Sequence, residues 1–269
     1  MRAKDINCWL HGMRLEEDPE SGMGNENAGD NWRLLLKLAQ TVWDHGDIPP
    51  QLLLLIVILI PKGGGNYQGI GLLEPMWKVC ERVMDTRLNR ISLHENLHGC
   101  CDRRGTGAAV LEAKLAQQLA HIEQVPFYGV FLDLEKAFDS MDCKHCLLIL
   151  KGYGVGPKMI LLIHNFWANA IMVCRASINY STPFKAGQGV TQGGPLSAKL
   201  FNVLIGAVAR EWLQELRKGS ALEPDEINHL MATFFATFYV DDAYLASCDP
   251  EFLQRVLDIL VNIFAWVGL

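Results

Sequence analysis

The chain has 269 residues, half of them hydrophobic and a fifth charged; its mean hydropathy is +0.12. That balance excludes a disordered polyelectrolyte and leaves room for a large core or two lobes sharing one. A net charge of −6 excludes a surface that is basic throughout, so any contact with nucleic-acid phosphate must come from a clustered face.

Eight cysteines lack the spacing of a small disulfide scaffold, and no signal peptide opens the chain. Reduced thiols in an intracellular protein, nuclear or cytoplasmic, are expected. Cys143-Lys-His-Cys146 has ligand-like spacing, but no second such pair completes a zinc site, and ordinary core or surface cysteines are the expectation. The most apolar run, Leu52–Ile60, is too short to cross about 30 Å of hydrocarbon as a helix. It is read as a buried strand bounded by Pro49-Pro50 and Pro61, and no membrane partner is expected.

In chain order, residues 1–30 are polar and read as a tail. Asp30 or Asn31 is placed to cap a helix with Leu35, Leu36, Leu38, Ala39, Val42 and Trp43 on one face, closed by Gly46. After the apolar strand come Pro61-Lys62 and Gly63–Gly65. Pro75 starts a helix with Met76, Val79, Cys80, Val83, Met84 and Leu88 on one side. A loop, Cys100–Gly107, carries Arg103 and Arg104, and a further amphipathic helix is predicted over Ala108–Glu123. Then follow a strand, Phe127–Asp133, and helices over Lys144–Lys151 and Pro157–Ala170. A hairpin is expected around Asn179–Ser181. The glycine-rich loop GQGVTQGGP precedes a helix, Leu196–Lys218, with Phe201, Leu204, Ile205, Val208 and Trp212 facing the core. A second hairpin centred on Asp241-Asp242 and a last helix, Pro250–Trp266, capped by Asp249, complete the chain.

From Phe127 onward this alternation predicts an α+β fold, with helices packed on one face of an antiparallel sheet. Such a sheet brings Asp133, at one strand end, beside Asp241 and Asp242. Adjacent carboxylates repel, which makes sense if a divalent cation supplies positive charge; Mg²⁺ takes carboxylates together with substrate phosphates. An ordinary polar hairpin turn is the simpler reading of Asp-Asp alone. Two metal ions about 4 Å apart can clamp the attacking and leaving oxygens of a phosphoryl transfer. Lys62 beside three glycines is suited to phosphate, or is an ordinary solvated lysine. The Gly187–Gly194 stretch lets backbone approach a nucleotide closely, or simply connects two elements.

Ordered blocks of the sequence resemble reverse transcriptases of the non-LTR retrotransposon and group II intron kind, over roughly Trp32 to Leu269. LIPKGGGNYQGIGLL and MWKVCERVMDTRL are similar to the fingers motifs. VFLDLEKAFDSMD, GVTQGGPLSAKLFN and FYVDD are similar to the first three palm motifs, and FAWVGL to the start of the fourth. The resemblance implies a right-hand polymerase: fingers over 31–125 and palm over 126–269, with a fingers insertion around 153–187.

It also implies an RNA-directed DNA polymerase, with RNA template, DNA primer, deoxynucleoside triphosphates and Mg²⁺ or Mn²⁺. Asp133, Asp241 and Asp242 would be the catalytic, metal-binding acids. Lys62 matches a fingers lysine that contacts the triphosphate, and Gln192 and Gly193 match a loop that lies against nucleotide and template. Phe138 falls where a bulky side chain meets the sugar 2′ position, or is a plain core phenylalanine. Arg103 and Arg104 are expected to meet nucleic acid.

Gln68-Gly69 stands where the family has Arg-Pro, and neutral Gln68 cannot replace the arginine's charge or fork at the triphosphate. Ala198 stands where proline is common. The chain stops where the fourth motif would continue, so the expectation is a fragment ending before the thumb, impaired by that and by the missing arginine. The alternative is a catalytically inactive, nucleic-acid-binding retroelement remnant.

Overall fold

The structure is a computed structural model and describes residues 28–101, 104–176, 178–218 and 224–269. Most of the expected polar tail, and Arg103, therefore lie outside the described residues. In chain order the elements are α1 (Ala28–His45), a 3-10 turn (Pro50–Leu53), β1 (Leu54–Gly63), β2 (Asn66–Leu72), α2 (Pro75–Leu88), α3 (Thr106–Ile122) and β3 (Tyr128–Asp133). There follow the single turn α4 (Ala137–Ser140), α5 (Cys143–Gly152), α6 (Pro157–Asn169), β4 (Ile171–Ala176), β5 (Asn179–Tyr180) and α7 (Ser197–Lys218). The last are α8 (Pro224–Ala232), β6 (Phe235–Tyr239), β7 (Asp242–Ser247) and α9 (Pro250–Val267). Among the described residues, no helix is long and apolar enough to cross a membrane.

The helix starts follow side-chain chemistry. Glu74 accepts from the N–H groups of Met76 and Trp77 (2.7 and 3.2 Å) ahead of Pro75. Asp142 accepts from Lys144 and His145 (2.6 and 3.1 Å) at the start of α5. Asp249 caps α9 through Phe252 N–H at 2.8 Å, satisfying donors that lack an intrahelical partner. α1 closes at Gly46 as expected but begins at Ala28, so Asp30 and Asn31 lie within the helix, not at its first position. α8 was not foreseen; its signals are Pro224 at the start and Asp225 and Glu226 in the first turn.

The chain divides into two units. The first takes in the described residues up to Arg90 and Leu150–Ser197; the second takes in Ile91–Ile149 and Ala198–Leu269.

In the first unit the sheet order is β2-β1-β4-β5. β1 and β2 form an antiparallel hairpin, while β1 and β4 run parallel from Leu54↔Ile171 to Ile58↔Arg175. The expectation of a fully buried strand over Leu52–Ile60 is corrected: its first residues form the 3-10 turn, and Leu54, Leu59 and Ile60 are exposed. Among the described residues only β2 flanks β1 beyond Ile58, so an apolar run is not enclosed there. For the same reason β1 continues through Pro61, since an edge tolerates a residue without an N–H. The hairpin of β4 and β5 turns earlier than expected. Ala176 pairs with Asn179; Ser181 N–H donates to Cys174 O at 2.9 Å, and Cys174 N–H donates to the Ser181 hydroxyl at 2.9 Å. In the core of this unit the Trp77 ring stacks on Phe166, centroids 4.5 Å apart and planes within 10°.

In the second unit a purely antiparallel sheet has the order β3-β7-β6. One face carries Leu132, Ala243, Leu245, Ala236 and Phe238; α7 and α9 bury the core beside it. Phe201, Leu204, Ile205, Val208 and Trp212 of α7 are all buried, as their spacing predicts. Trp212 donates its indole N–H to Val256 O of α9 at 2.9 Å, and Phe234 and Phe238 meet its ring edge-on. The α+β class with an antiparallel sheet backed by helices is what the second unit displays.

Candidate active site

In the second unit, β3 and β7 pair from Tyr128↔Ser247 to Asp133↔Asp242, and β7 and β6 from Phe235↔Ala246 to Tyr239↔Asp242. Directly opposed residues project from one face. Asp133 and Asp242 therefore share a face and an end of the sheet, with Asp241 in the adjoining turn, where its carbonyl accepts Leu134 N–H at 3.3 Å. The Asp242 carboxyl titrates above its ordinary range because of partial burial, then the neighbouring charges of Asp241 and Asp133. The backbone thus brings the three expected acids to one edge. Among the described residues, however, no three His, Cys, Asp or Glu side chains are arranged to hold a metal ion.

The turn itself is strained. Tyr239↔Asp242 leaves Val240-Asp241 as a two-residue connection, and Val240 has φ +60°, a conformation a β-branched residue rarely adopts. The segment Asn96–Gly99 straps it down. Phe238 N–H donates to Asn96 O at 2.8 Å and His98 N–H to Phe238 O at 2.9 Å. Asn202 of α7 donates to Gly99 O, and Gly99 lies against Val240. Arg104, expected to meet nucleic acid, donates Nη1 to the carbonyls of His94, Glu95 and Leu97 (2.7, 3.0 and 3.1 Å), which closes the strap. Gly99 and Asn202 escaped sequence reasoning; an asparagine inside the apolar face of α7 was the available signal.

Alongside the acids runs a groove of about 690 Å³, walled by Ala109, Val110, Ala113, Lys114 and Gln117 of α3 and floored by Phe131, Tyr244 and Thr237. Phe131 is exposed and stacks on Tyr244 at 4.5 Å. Phe138 lies in α4, half-buried, its ring 4.9 Å from that of the fully buried Phe201.

The other expected residues lie in the first unit. Lys62 is exposed on β1 at the mouth of the Gly63–Gly65 turn, where all three glycines have positive φ. Gln68 on β2 donates Nε2 to Gln192 Oε1 at 2.8 Å. Gly71 N–H donates to Gln192 O at 2.7 Å. The loop bearing Gln192 and Gly193 is thus fastened to β2. It is also fastened to α2, through Glu81, a buried carboxylate that sequence reasoning passed over; its signal was an acid on the apolar face four residues after Trp77.

A family model described as reverse transcriptase (RNA-dependent DNA polymerase) matches residues 60–269. The chain belongs to the reverse transcriptase family. Its sequence is 26% identical over 222 residues to the transposon TX1 uncharacterized 149 kDa protein of Xenopus laevis, covering 78% of this chain and 16% of that protein. It is 23% identical to the Pol polyprotein from the type-2 retrotransposable element R2DM of Drosophila melanogaster, covering 88% of this chain and 22% of the relative. For the type-1 element R2 of Popillia japonica the identity is 22%, covering 99% of this chain and 37% of the polyprotein. This reverse transcriptase chain therefore spans between 16% and 37% of the length of these relatives.

In fold it is similar to the apo telomerase of Candida tropicalis truncated from its C-terminal domain: TM-score 0.62, 15% identity, 88% of this chain and 53% of that one. It is likewise similar to the telomerase of Candida albicans in complex with a fragment of telomeric RNA: TM-score 0.52, 14% identity, 88% of this chain and 44% of that one. The likeness to reverse transcriptases of retroelements, expected from the ordered motifs, stands. Enzymes of this family are nucleotidyltransferases that generally use divalent metal ions.

Proposed function

We propose that this chain carries the nucleotide-adding site of a retroelement RNA-directed DNA polymerase. It would extend a DNA primer on an RNA template with deoxynucleoside triphosphates. The observation that carries this reading is the register Asp133↔Asp242 with Asp241 in the adjoining turn. Acids fixed at the end of a rigid ladder, with Asp242 titrating above its ordinary value through partial burial and then the charges of Asp241 and Asp133, suit a divalent cation better than bulk water. Asp133, Asp241 and Asp242 would hold Mg²⁺ or Mn²⁺. Bound there, the metal ions would supply Lewis-acid stabilisation of charge on the transferring phosphoryl group.

On this reading the second unit corresponds to the palm and the first to the fingers, so the fingers segment inserted in the palm is Leu150–Ser197. Lys62 is a point charge for the triphosphate, Gln192 and Gly193 form the nucleotide-facing loop with Gln68 on β2 bonded to it, and Phe138 crowds the sugar 2′ position.

The test is primer extension on poly(A)/oligo(dT) with Mg²⁺ or Mn²⁺, comparing the native chain with Asp242→Asn. Extension that falls at least about a hundredfold in the variant is the expected result, in line with removal of a group stabilising transition-state charge. Equal extension by both proteins would overturn the assignment. The engagement of Gln68 by Gln192, with no arginine at that position, favours a second reading: RNA binding without turnover. Retention of the template in a gel-shift assay without any extension would select it.

A further inference from the structure

Glu81 lies on α2 with 5% of its surface exposed. One carboxylate oxygen accepts the Trp77 indole N–H at 3.0 Å; the other accepts Leu196 N–H at 3.3 Å. A β-carbon built on Gly194 would lie 2.9 Å from that second oxygen and 2.8 Å from Ser197 Oγ, so the loop backbone passes directly over the carboxylate. Ser197 Oγ in turn donates to Thr191 O at 2.7 Å, closing the loop on itself. The far end of the same loop is tied to β2 through Gln192, as described above. Trp77 is itself fixed by its stack on Phe166. A buried charged group that meets two donors from separate elements holds them where they are, and its removal leaves both unpaired.

We propose that Glu81 is a positioning residue that fixes the loop Thr191–Ser197, and with it Gln192 and Gly193, by accepting Leu196 N–H. Its link to nucleotide binding rests on the reading above; its role as a latch does not. Burial pushes the Glu81 carboxyl up to about 7, opposed by the bonds from Leu196 and Trp77 and by Lys78 and Arg82. The charged and titratable groups around it are those two cations, Glu74 and the Cys80 thiol on or beside α2. The loop side presents Leu196 N–H, Gly194 and the Ser197 hydroxyl. Opening the loop returns the carboxylate to water and its ordinary titration, so the closed loop binds the proton more tightly and the latch loosens as pH rises through about 7.

Hydrogen exchange of the peptide spanning Thr191–Ser197, with intrinsic rates divided out, tests this on the native chain at pH 6 and pH 8. Since the closed loop holds its proton up to about pH 7 and the opened loop does not, protection is expected to fall about tenfold over that interval. Equal protection at both pH values would overturn the latch, and this comparison requires no variant to fold. In Glu81→Gln the amide retains an acceptor for Trp77 but turns an N–H₂ toward Leu196 N–H, donor against donor. Its peptide should exchange fast at both pH values while peptides from β3 and β7 keep their native protection. In primer extension the same variant should raise KM for the deoxynucleotide about fivefold or more with kcat changed less. An unchanged KM would sever the latch from Gln192 and Gly193. Absence of extension by the native chain would sink the polymerase reading and leave the exchange result to decide the latch.

Discussion

Gly99 lies against Val240 so closely that a β-carbon built on it would come within 2.4 Å of Val240 Cγ2 and 2.8 Å of Val240 N. The strap Asn96–Gly99 and the acid-bearing turn are thereby fitted to one another, and the unusual conformation of Val240 is held from outside the hairpin.

Gly99→Ala should therefore displace the turn. Overpacking of this kind costs about 1–3 kcal/mol, and a displacement near 1 Å at reacting groups can cost about a hundredfold in rate. Thermal melting and primer extension on one preparation measure both. Wild-type activity in a protein that melts normally would mean that the strap does not set the turn.

Asp242 supplies a pH-dependent prediction. Its folded-state titration lies above its ordinary value, so the folded chain binds the extra proton. Stability is greatest below the ordinary carboxylate range and declines as pH rises through the raised value. At neutral pH the charged cluster weakens the fold, and Asp242→Asn should raise the melting temperature by about 1–2 °C, because exposed charges are worth under about 1 kcal/mol. Millimolar Mg²⁺ should stabilise the native chain and not the variant. Melting curves at pH 4 and pH 7.5, with and without the ion, check sign and size together.

Gln68→Arg restores a fork and a charge without giving up a donor to Gln192. A charged contact to a polyanion is worth about 1.5–3 kcal/mol, so KM for the deoxynucleotide should fall about tenfold or more. An unmoved KM and kcat would show that this contact is not what the chain lacks.

Phe138→Ala separates two roles. Loss of the ring from its stack on Phe201 should lower stability by about 1–3 kcal/mol, less than for a fully buried aromatic. Opening space at the sugar should also lower the ratio of kcat/KM for deoxy- over ribonucleotide at least tenfold. A lowered melting temperature with the ratio unmoved would make Phe138 a packing residue alone.

What was legible in the sequence was whatever depends on local period and capping. The apolar faces of α2 and α7, the helix start at Pro75 and the cap at Asp249 fall where the spacing puts them. So does the meeting of Asp133 with the Asp241-Asp242 turn, because strand alternation fixes a face once strand ends are known. What escaped depends on partners distant in sequence. Nothing near Leu54 announces that Ile171 will lie beside it. The apolar run there reads the same whether two strands flank it or one. Glu81 looks like one more charge on an amphipathic helix until Leu196 is placed over it, and Gly99 looks like a loop residue until Val240 is.

The parallel ladder between β1 and β4 joins stretches more than a hundred residues apart in the chain, and each unit is assembled from two separated stretches. During synthesis at about 5–20 residues per second, the β1–β2 hairpin therefore waits roughly 6–20 seconds for the strand that will lie beside it. Over that interval the LLIVILI stretch of β1 presents an unpaired, apolar edge, the feature on which strands of separate chains associate. Ribosome speed between residues 60 and 175 should thus influence the soluble yield of this protein more than speed elsewhere, and slow synonymous codons placed there should lower it.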